Sequence, residues 1–354
     1  MNMEEMQKQQ DRKNKNFILT KLIPFFVFLI LAVSLILAVI YEKTHLNRLS
    51  QRLTDAGQKE IIIEQKISAL QEEKEQIQRQ FVIDSNLKTN IIFCFNDFEN
   101  SSYHSIIESM KNYGSPGVIV FRTDNMPGMD GSITIEEYKE LLADGWEGAV
   151  ATEGGKILYE YMADPVLDKW KISMDQMRNY FQNNGLEFSH IYIAAEGELL
   201  NSVEIYFPQY GITGYAVVEY NVKKAARELA DDAVLDMGMI KAKYIYKDLE
   251  SDLKELQYEG KSMAMRFQTV ESSSPSNIYN TSIYRLNAYL ETISNSENAQ
   301  ITTFQGYRDY QETFENDNAE LIQQYKAKLE KIENEMKKLE QENDRNYKNA
   351  LSYY

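Results

Sequence analysis

The longest apolar run of the chain lies near the N-terminus. Residues Leu22 to Tyr41, LIPFFVFLILAVSLILAVIY, form 20 consecutive positions without a charge. An α-helix rises about 1.5 Å per residue, so this run matches the ~30 Å hydrocarbon core of a bilayer. The residues that follow, Tyr41-Glu42-Lys43, lack the small side chains of a signal-peptide cleavage site. The pattern therefore predicts one uncleaved transmembrane helix over residues 22–41.

Basic residues flank this run on both sides, with a small excess before it. The preceding ones are Lys8, Arg12, Lys13, Lys15 and Lys21, and the following ones are Lys43, Arg48, Arg52 and Lys59. The side of a span that carries more Lys and Arg usually stays in the cytoplasm. We expect a single-pass protein of the cell membrane, with a basic cytoplasmic tail over residues 1–21 and residues 42–354 outside the cytoplasm.

A heptad pattern follows the apolar run. Nine of eleven positions at alternating spacings of three and four are apolar, and the flanking positions hold Glu, Gln, Lys and Arg. This spacing is typical of a coiled-coil seam and predicts a coiled-coil stalk over residues 42–84. A single solvated helix is the alternative, because Gly57 and the two charged seam positions weaken the seam. The seam positions are Leu46, Leu49, Leu53, Ala56, Glu60, Ile63, Ile67, Leu70, Lys74, Ile77 and Phe81.

The C-terminal part repeats the heptad pattern. Residues 311–354 are predicted to form a second coiled-coil helix, whose seam positions are Ile322, Tyr325, Leu329, Ile332, Met336, Leu339 and Asn343. One arrangement has this helix folded back along the stalk of the same chain. The alternative is a parallel dimer that forms through the stalk alone. We therefore expect a homo-oligomer or a coiled-coil partner.

Strand-like and helix-like segments alternate over residues 85–310. Apolar strands are predicted at Ile91 to Phe95, Gly117 to Phe121, His190 to Ala195, Tyr215 to Tyr220, Ser262 to Phe267 and Ile301 to Phe304. Helices are predicted at Ile133 to Leu142, Met174 to Gln182, Lys247 to Gln257 and Ser282 to Ser294. This alternation predicts an α/β domain whose parallel sheet is covered by helices, and the number of units favours a closed barrel.

The composition limits the partners of the chain. Asp and Glu outnumber Lys and Arg by 54 to 38 in 354 residues, which gives a net charge of -16. Attraction to a phosphate backbone is therefore absent from most of the protein, and nucleic acid is not an expected partner. The one cysteine, Cys94, excludes an intrachain disulfide and is expected to be a small buried hydrophobe.

Several motifs of the central domain follow the order of a known family. GSITIEEYKELLADGWEGAVATEGG, residues 131–155, is similar to the segment lt-x-eqlkeL-x-daGhEigsHt of the polysaccharide deacetylases, carbohydrate esterases with a NodB-homology domain. IIFCFNDF falls where the family has T-F-D-D-G, VIVFRT where it has its second strand, and KSMAMRFQ where it has a late strand ending in His. The resemblance covers about residues 90–306 and implies a distorted (β/α)7 barrel.

The resemblance also implies a mechanism from which this chain departs. In the family one Asp acts as base, while a second Asp and two His hold a divalent metal that activates water. Carried over by position, the base becomes Asn96 and the metal-binding Asp becomes Asp97. The two His become Ala151 and Gly155.

Two further family motifs differ as well. The late-strand His falls at Phe267 or Gln268, and the R-P-P-Y-G loop appears as AAEGE, residues 194–198, without Arg. An amide does not accept a proton as a carboxylate does, and Ala and Gly have no atom that binds a metal. We therefore expect no metal, no cofactor and no deacetylation, as in a pseudoenzyme of this family.

A second motif, DGSITIEEY over residues 130–138, matches the later half of an EF-hand loop. Positions one and three of that loop are Met126 and Gly128, which supply no side-chain oxygen for calcium. We expect instead a loop followed by a helix, with Thr134 as the N-cap and Glu137 in the first turn.

These patterns predict a membrane-anchored, extracytoplasmic protein that binds or scaffolds glycans at the cell envelope. Candidate ligand-binding residues are Asp97 and the exposed loop residues Arg122, Asp124 and Glu196, because they follow predicted strands.

Two alternative functions remain open from the sequence. One is a divergent carbohydrate deacetylase or hydrolase that uses Asp97 with Glu153, Glu196 or His104. His104 is the one histidine that follows the end of a predicted strand, although a single histidine there is more often an ordinary surface residue. The other is a structural coiled-coil partner of an envelope complex, in which the barrel acts as a spacer.

Overall fold

The chain forms two compact units. The computed structural model describes residues 6, 8, 23–96, 103–151, 168–194, 203–219, 227–228, 234–239, 246–272, 274–276 and 280–351. One unit combines residues 1–74 with residues 329–354, and the other spans Glu75–Lys328. The sequence-based boundaries of the domains, at residues 42, 85 and 311, stay predictions.

Seven parallel strands form a closed barrel in the second unit. β1 pairs with β2, and the pairing continues through β3, β4, β5, β7 and β8, which pairs back with β1. The predicted α/β fold with a seven-stranded barrel is therefore confirmed. The strands are β1 Thr89–Phe95, β2 Val118–Phe121, β3 Glu147–Ala151, β4 Ile191–Ala194, β5 Gly214–Glu219, β7 Val234–Met239 and β8 Lys261–Phe267.

Four further strands lie beside the barrel. β11, Ala299–Thr302, pairs with the first half of β1, while β2 pairs with the last two residues of β1, so these two strands share one edge of β1. β6, Arg227–Glu228, is antiparallel to β8, and β9, Thr269–Glu271, is parallel to β10, Asn280–Ser282. This shared edge distorts the barrel where β11 meets β1.

The alternation of side chains along each strand separates two apolar clusters. Outward-facing residues such as Phe93 and Phe267 pack against the surrounding helices. Inward-facing residues form a smaller cluster with two aromatic side chains from a C-terminal helix. This inner cluster contains Ile92, Cys94, Val118, Val120, Ala149, Ala151, Ile191, Ile193, Ala216, Ala264, Phe304 and Tyr307.

Cys94 therefore lies inside the barrel and is fully buried, as expected from the sequence. Burial raises the pKa of its thiol well above the ordinary range, with a smaller contribution from Glu147. Cys94 thus acts as a neutral packing residue.

Helices occur in both units. In chain order the described α-helices are α1 Ile23–Ser85, α2 Tyr103–Asn112, α3 Ile135–Ala143, α4 Asp168–Asn183, α5 Phe207–Tyr210, α6 Tyr246–Glu259, α7 Ile283–Ser294, α8 Phe304–Asp317 and α9 Ala319–Leu351. The four predicted helices correspond to α3, α4, α6 and α7. Among the barrel strands, the sequence patterns missed β3 and β7, because EGAVA and VLDMGM contain few of the β-branched and aromatic residues that favour strands. They also missed the helices α2 and α5 and the short strands β6, β9 and β10.

One predicted strand, Ile301 to Phe304, is wrong at its C-terminal end. β11 ends at Thr302, and the Thr303 side chain caps α8 by accepting a hydrogen bond from the Gly306 backbone N–H. Phe304 therefore begins a helix, and Tyr307 one turn later enters the barrel interior with it. The Gln305 backbone N–H donates to the carboxylate of Glu147, the first residue of β3, at 3.1 Å. The start of α8 thus closes the amino end of the barrel.

The two predicted arms contact each other within one chain. In the first unit the Lys74 ammonium donates to Glu333 at 2.6 Å, and the Tyr347 hydroxyl donates to Glu60 at 2.7 Å. Glu60 and Lys74 are 14 residues apart, and so are Glu333 and Tyr347, so α1 and α9 run antiparallel. Ile63 of α1 is buried at the predicted seam. The geometry agrees with the first of the two expected arrangements, and supercoiling of the pair stays a prediction.

The start of α1 carries the apolar run. Within the described residues, α1 is the one helix long and apolar enough to cross a membrane. Membrane spans and N-terminal signal sequences share this property.

Replacement of Gly57 by Ala is expected to stabilise α1 by roughly 0.5–1 kcal/mol. Gly57 lies inside the helix, and a Cβ atom built there meets no atom within 4 Å. The substitution therefore removes backbone freedom from the unfolded chain without a clash. Thermal unfolding followed by circular dichroism measures the change, and a lower midpoint for Gly57→Ala would contradict it.

Candidate functional site

The inward-facing positions of β1, β2 and β8 are apolar along most of each strand but polar at the carboxyl end. Asn96 lies two residues beyond Cys94 on β1, and Arg122 lies two residues beyond Val120 of β2. Arg266 is on β8, which pairs with β1. All three polar residues are buried. We call Asn96, Arg122, Asn125, Arg266 and Gln268 the mouth cluster.

Asn96 is at the centre of this cluster and is 1% exposed. The Arg266 Nε–H donates to the Asn96 side-chain oxygen at 2.8 Å. The Asn96 amide group in turn donates to the side-chain oxygen of Gln268 at 3.4 Å, and the Asn96 backbone N–H donates to the Phe267 carbonyl at 3.0 Å. Arg266 determines the orientation of the Asn96 amide, because a guanidinium only donates hydrogen bonds and therefore needs the amide oxygen as its partner.

The second strand contributes Arg122 and the turn that follows it. Arg122 Nη1 and the Asn125 amide both lie near the Asn96 carbonyl oxygen, at 3.5 and 3.4 Å. Arg122 Nε donates to the Asp124 carboxylate at 3.0 Å. Arg122 is only 8% exposed, so its description as an exposed loop residue is wrong, whereas Asp124 is exposed as expected.

The position that resembles a catalytic base therefore holds a neutral amide between cationic and amide groups. An asparagine does not act as a proton acceptor near neutral pH, and arginine stays protonated in proteins. Ala151, at the end of β3, faces the barrel interior with a methyl group, which is no metal ligand. These described positions do not fit the Asp and His ligand set that the family resemblance implies.

Several predicted site residues lie outside the described part of the chain. They are Asp97, Glu153, Gly155 and Glu196. Among the residues that the structure describes, no group of three or more His, Cys, Asp or Glu side chains is arranged to hold a metal ion. The expected lack of a metal and a cofactor stays a prediction.

His104 lies on α2, away from the inner row of the barrel. Its ring packs against that of Tyr103 at a centroid distance of 4.0 Å and an interplanar angle of 38°, and its Nε2 is 3.9 Å from Glu137. Tyr103 also donates to Glu137 at 3.2 Å. His104 thus belongs to the surface around the first turn of α3.

The segment that resembles an EF-hand is a capped helix start, as expected. Thr134 is the N-cap of α3, and its hydroxyl accepts from the Glu137 backbone N–H while Glu137 bonds back to the Thr134 N–H. Burial raises the pKa of Glu137, but hydrogen bonds from Thr134 and Tyr103 outweigh it and leave the pKa below the ordinary value. Gly128 and Gly131 adopt positive φ angles in the preceding loop.

His190 precedes β4 at the amino end of the barrel, which agrees with the prediction from sequence. Its Nδ1 lies 2.9 Å from the Gly211 carbonyl, and its Nε2 lies 3.0 Å from the Glu187 carboxylate. Both partners accept hydrogen bonds, so the doubly protonated ring satisfies both. The Gly211 carbonyl, followed by Glu187, therefore raises the pKa of His190 above its ordinary value of 6.5.

Stability is expected to fall slightly as the pH rises through the raised pKa of His190. A group whose pKa is higher in the folded state stabilises the fold below its unfolded pKa and loses that contribution at higher pH. Unfolding midpoints at pH 6 and pH 8.5, compared between the parent chain and His190→Ala, measure the effect. We expect a smaller pH dependence in His190→Ala, and an unchanged pH dependence would contradict the assignment.

Sequence reasoning missed two members of the mouth cluster, Asn125 and Arg266, whereas it named Gln268 as one of two positions for the late-strand His of the family. A signal was present on β8, because Ser262, Ala264 and Arg266 alternate with Met263 and Met265. Arg266 is thus the inward position of an otherwise apolar buried strand, where a charged residue needs partners.

The chain is similar to solved structures, but its sequence matches neither a family model nor a curated protein. No protein-family model matches the sequence. None of the curated proteins compared with it matches either.

Similar solved structures include two proteins named as deacetylases and one domain of a xylanase. The peptidoglycan deacetylase PdaC from Bacillus subtilis is 13% identical, with a TM-score of 0.40, over 68% of this chain and 98% of its own. The Xyl-CE4 domain of a xylanase from the hindgut metagenome of Trinervitermes trinervoides is 10% identical, with a TM-score of 0.39, over 63% and 91%. The polysaccharide deacetylase Bc1974 from Bacillus cereus is 10% identical, with a TM-score of 0.36, over 61% and 91%.

These names agree with the family that the sequence resembles. The seven-stranded α/β barrel itself is shown by the strand pairing of this chain. Identities this low do not transfer an activity.

Proposed function

We propose that the protein is a membrane-anchored, extracytoplasmic barrel that binds a glycan at the cell envelope without deacetylating it. The observation that carries the proposal is the hydrogen bond from Arg266 to the buried Asn96 amide. Asn96 lies at the end of β1, at the position where the family resemblance implies a carboxylate base.

A carboxylate at position 96 would also be a poor base in this environment. The side-chain oxygen at this position accepts from Arg266 at 2.8 Å, and a cationic neighbour lowers the pKa of a carboxyl group. General-base catalysis is most efficient when the pKa lies near the working pH. The surroundings of Asn96, and not only its side chain, therefore disfavour deacetylation.

The mouth cluster instead offers groups suited to hold sugar hydroxyls. Amides and guanidiniums present several hydrogen-bond donors in fixed planes, and Asp124 adds an exposed acceptor at the rim. Buried partners hold Arg122 and Asn96 in place, which reduces the entropy lost on binding. This arrangement supports a role in glycan recognition.

Binding of the purified full chain to peptidoglycan and to acetylated chitooligosaccharides tests the proposal. We expect retention that EDTA does not reduce and that Arg122→Lys and Asp124→Asn weaken. Asp130→Asn is the matched control, because Asp130 is exposed in the same loop region but outside the mouth cluster. No retention, or retention that EDTA abolishes, would contradict metal-independent glycan binding.

Membrane anchoring and orientation are part of the proposal. The exposed apolar side chains at the start of α1 and the basic residues before them support a span with an extracytoplasmic barrel. Protease added to intact cells, or to spheroplasts where an outer barrier exists, should digest the barrel. Digestion only after permeabilisation would reverse the orientation.

A divergent hydrolase is the second candidate. The position of Asp97 next to Asn96 in the chain favours it, because Asp97 follows the mouth cluster directly. Acetate release that Asp97→Ala abolishes would be its specific result.

A further inference from the structure

An apolar stripe lies on α1 between the apolar run and the region that α9 covers. Leu46 is 55% exposed and Leu53 is 41% exposed, while Leu49 between them is half-buried. Their spacings of three and four residues place the three side chains on one face of the helix. We call Leu46, Leu49 and Leu53 the stalk stripe.

The stalk stripe continues the seam that α1 forms with α9. Ala56 and Ile63 belong to the same heptad series and are buried. The register set by Glu60 and Tyr347 places Leu351, the last described residue of α9, opposite Ala56. The described part of α9 therefore covers the seam as far as Ala56, and the same apolar series continues beyond it.

We propose that the stalk stripe binds the stalk stripe of a second copy of this chain and forms a parallel two-helix contact beside the membrane. We expect a helix to cover the stalk stripe, because the stripe continues, in the same heptad register, a seam that already packs against a helix. A second copy presents the same three leucines, and a two-fold axis makes such a surface self-complementary.

The parallel direction rests on the proposed membrane anchoring. Two copies whose α1 helices enter the same bilayer from the same side can pair only in parallel along this segment. The flanks permit this pairing, because Arg52 faces Gly57 of the second copy and His45 faces Ser50, so no like charges meet. Confinement to a bilayer raises the effective concentration, which compensates for the small contact area.

Disulfide cross-linking of the full chain in bilayers tests the contact. Cys94 is buried, so a cysteine introduced on the stalk is the only accessible thiol among the described residues. We expect Leu46→Cys and Leu53→Cys each to give an oxidised dimer of two 41.2 kDa chains. Gln51→Cys is the control on the opposite face of the same helical turns and should stay monomeric.

Four results would overturn the proposal. Equal cross-linking of Gln51→Cys would indicate random collision. Cross-linking of Leu46→Cys only with Leu53→Cys would indicate an antiparallel pair. No dimer, or an adduct with a protein of another mass, would exclude a second copy as the occupant.

A second measurement separates this contact from folding and from glycan binding. The double variant Leu46→Glu, Leu53→Glu brings like charges together in a parallel pair and should shift the mass of the bilayer-embedded protein from two chains to one. Ile61→Glu, at an exposed position away from the stripe, should remain dimeric. Both variants should keep the glycan retention of the parent chain, so loss of the dimer and failure of the proposed function are distinguishable. A dimer that persists in the double variant would contradict the proposal.

Discussion

Ile63→Ala is expected to destabilise the contact between α1 and α9 by roughly 2–4 kcal/mol. Ile63 is 4% exposed at the seam, and its neighbour Ile62 is 52% exposed on the same helix. Ile62→Ala is therefore a matched control, with the same change of side chain and an expected effect within about 0.5 kcal/mol. The difference between the two variants isolates burial from helix propensity.

Urea unfolding followed by circular dichroism gives the two free energies, and hydrogen exchange locates the change. We expect faster exchange along α9 in Ile63→Ala and parent-like exchange in Ile62→Ala. Equal effects of the two substitutions would mean that the arms do not contact each other in solution as they do in the structure.

Arg266→Ala is expected to destabilise the barrel by roughly 2–4 kcal/mol. The substitution removes the donor to the Asn96 side-chain oxygen and leaves that buried atom without its 2.8 Å partner. It also leaves space between β8 and the end of β1, because Arg266 is itself buried.

A double-mutant cycle with Asn96→Ala tests whether the two side chains act together. The coupling should be roughly 1–3 kcal/mol, since the double variant no longer contains an unpaired amide oxygen. Additive effects would show that the Arg266 to Asn96 hydrogen bond contributes little to the stability of the mouth cluster.

The arms and the barrel were largely predictable because each depends on a local period. The heptad positions selected Ile63 and Ile332 as seam residues, and both are buried. The apolar runs selected β1, β2 and β8 because strands covered on both faces contain few polar residues. Strand β7, VLDMGM, was not predicted because its Asp and Gly interrupt the apolar run.

The mouth cluster was only partly predictable because it depends on the register between strands. The end of β1 identified Asn96, but its partner comes from a strand 170 residues later in the chain. Only the pairing of Cys94 with Arg266 brings that guanidinium within reach of Asn96. The alternation of side chains along β8 predicts that Arg266 faces inward. Its hydrogen-bond partner is known only once the barrel closes and β8 pairs with β1.

Deacetylation is the reaction on which the two candidate functions differ most sharply. By the family resemblance, Asn96 falls at the position of the base and Ala151 and Gly155 fall at positions of metal ligands, so the proposal holds that several groups that act as a unit are missing together. Asn96→Asp alone should therefore leave activity at background. The triple variant Asn96→Asp, Ala151→His, Gly155→His should at most bind a metal, because it lacks the residues that orient new ligands.

Acetate release by the purified full chain, with and without added zinc, tests the central claim most directly. The substrates are acetylated chitooligosaccharides and peptidoglycan, and zinc binding is measured on the same sample. The proposed function predicts no tight zinc binding and no acetate above background. Acetate release by the unmodified chain that Asp97→Ala abolishes would contradict it and would make the end of β1 a working catalytic site.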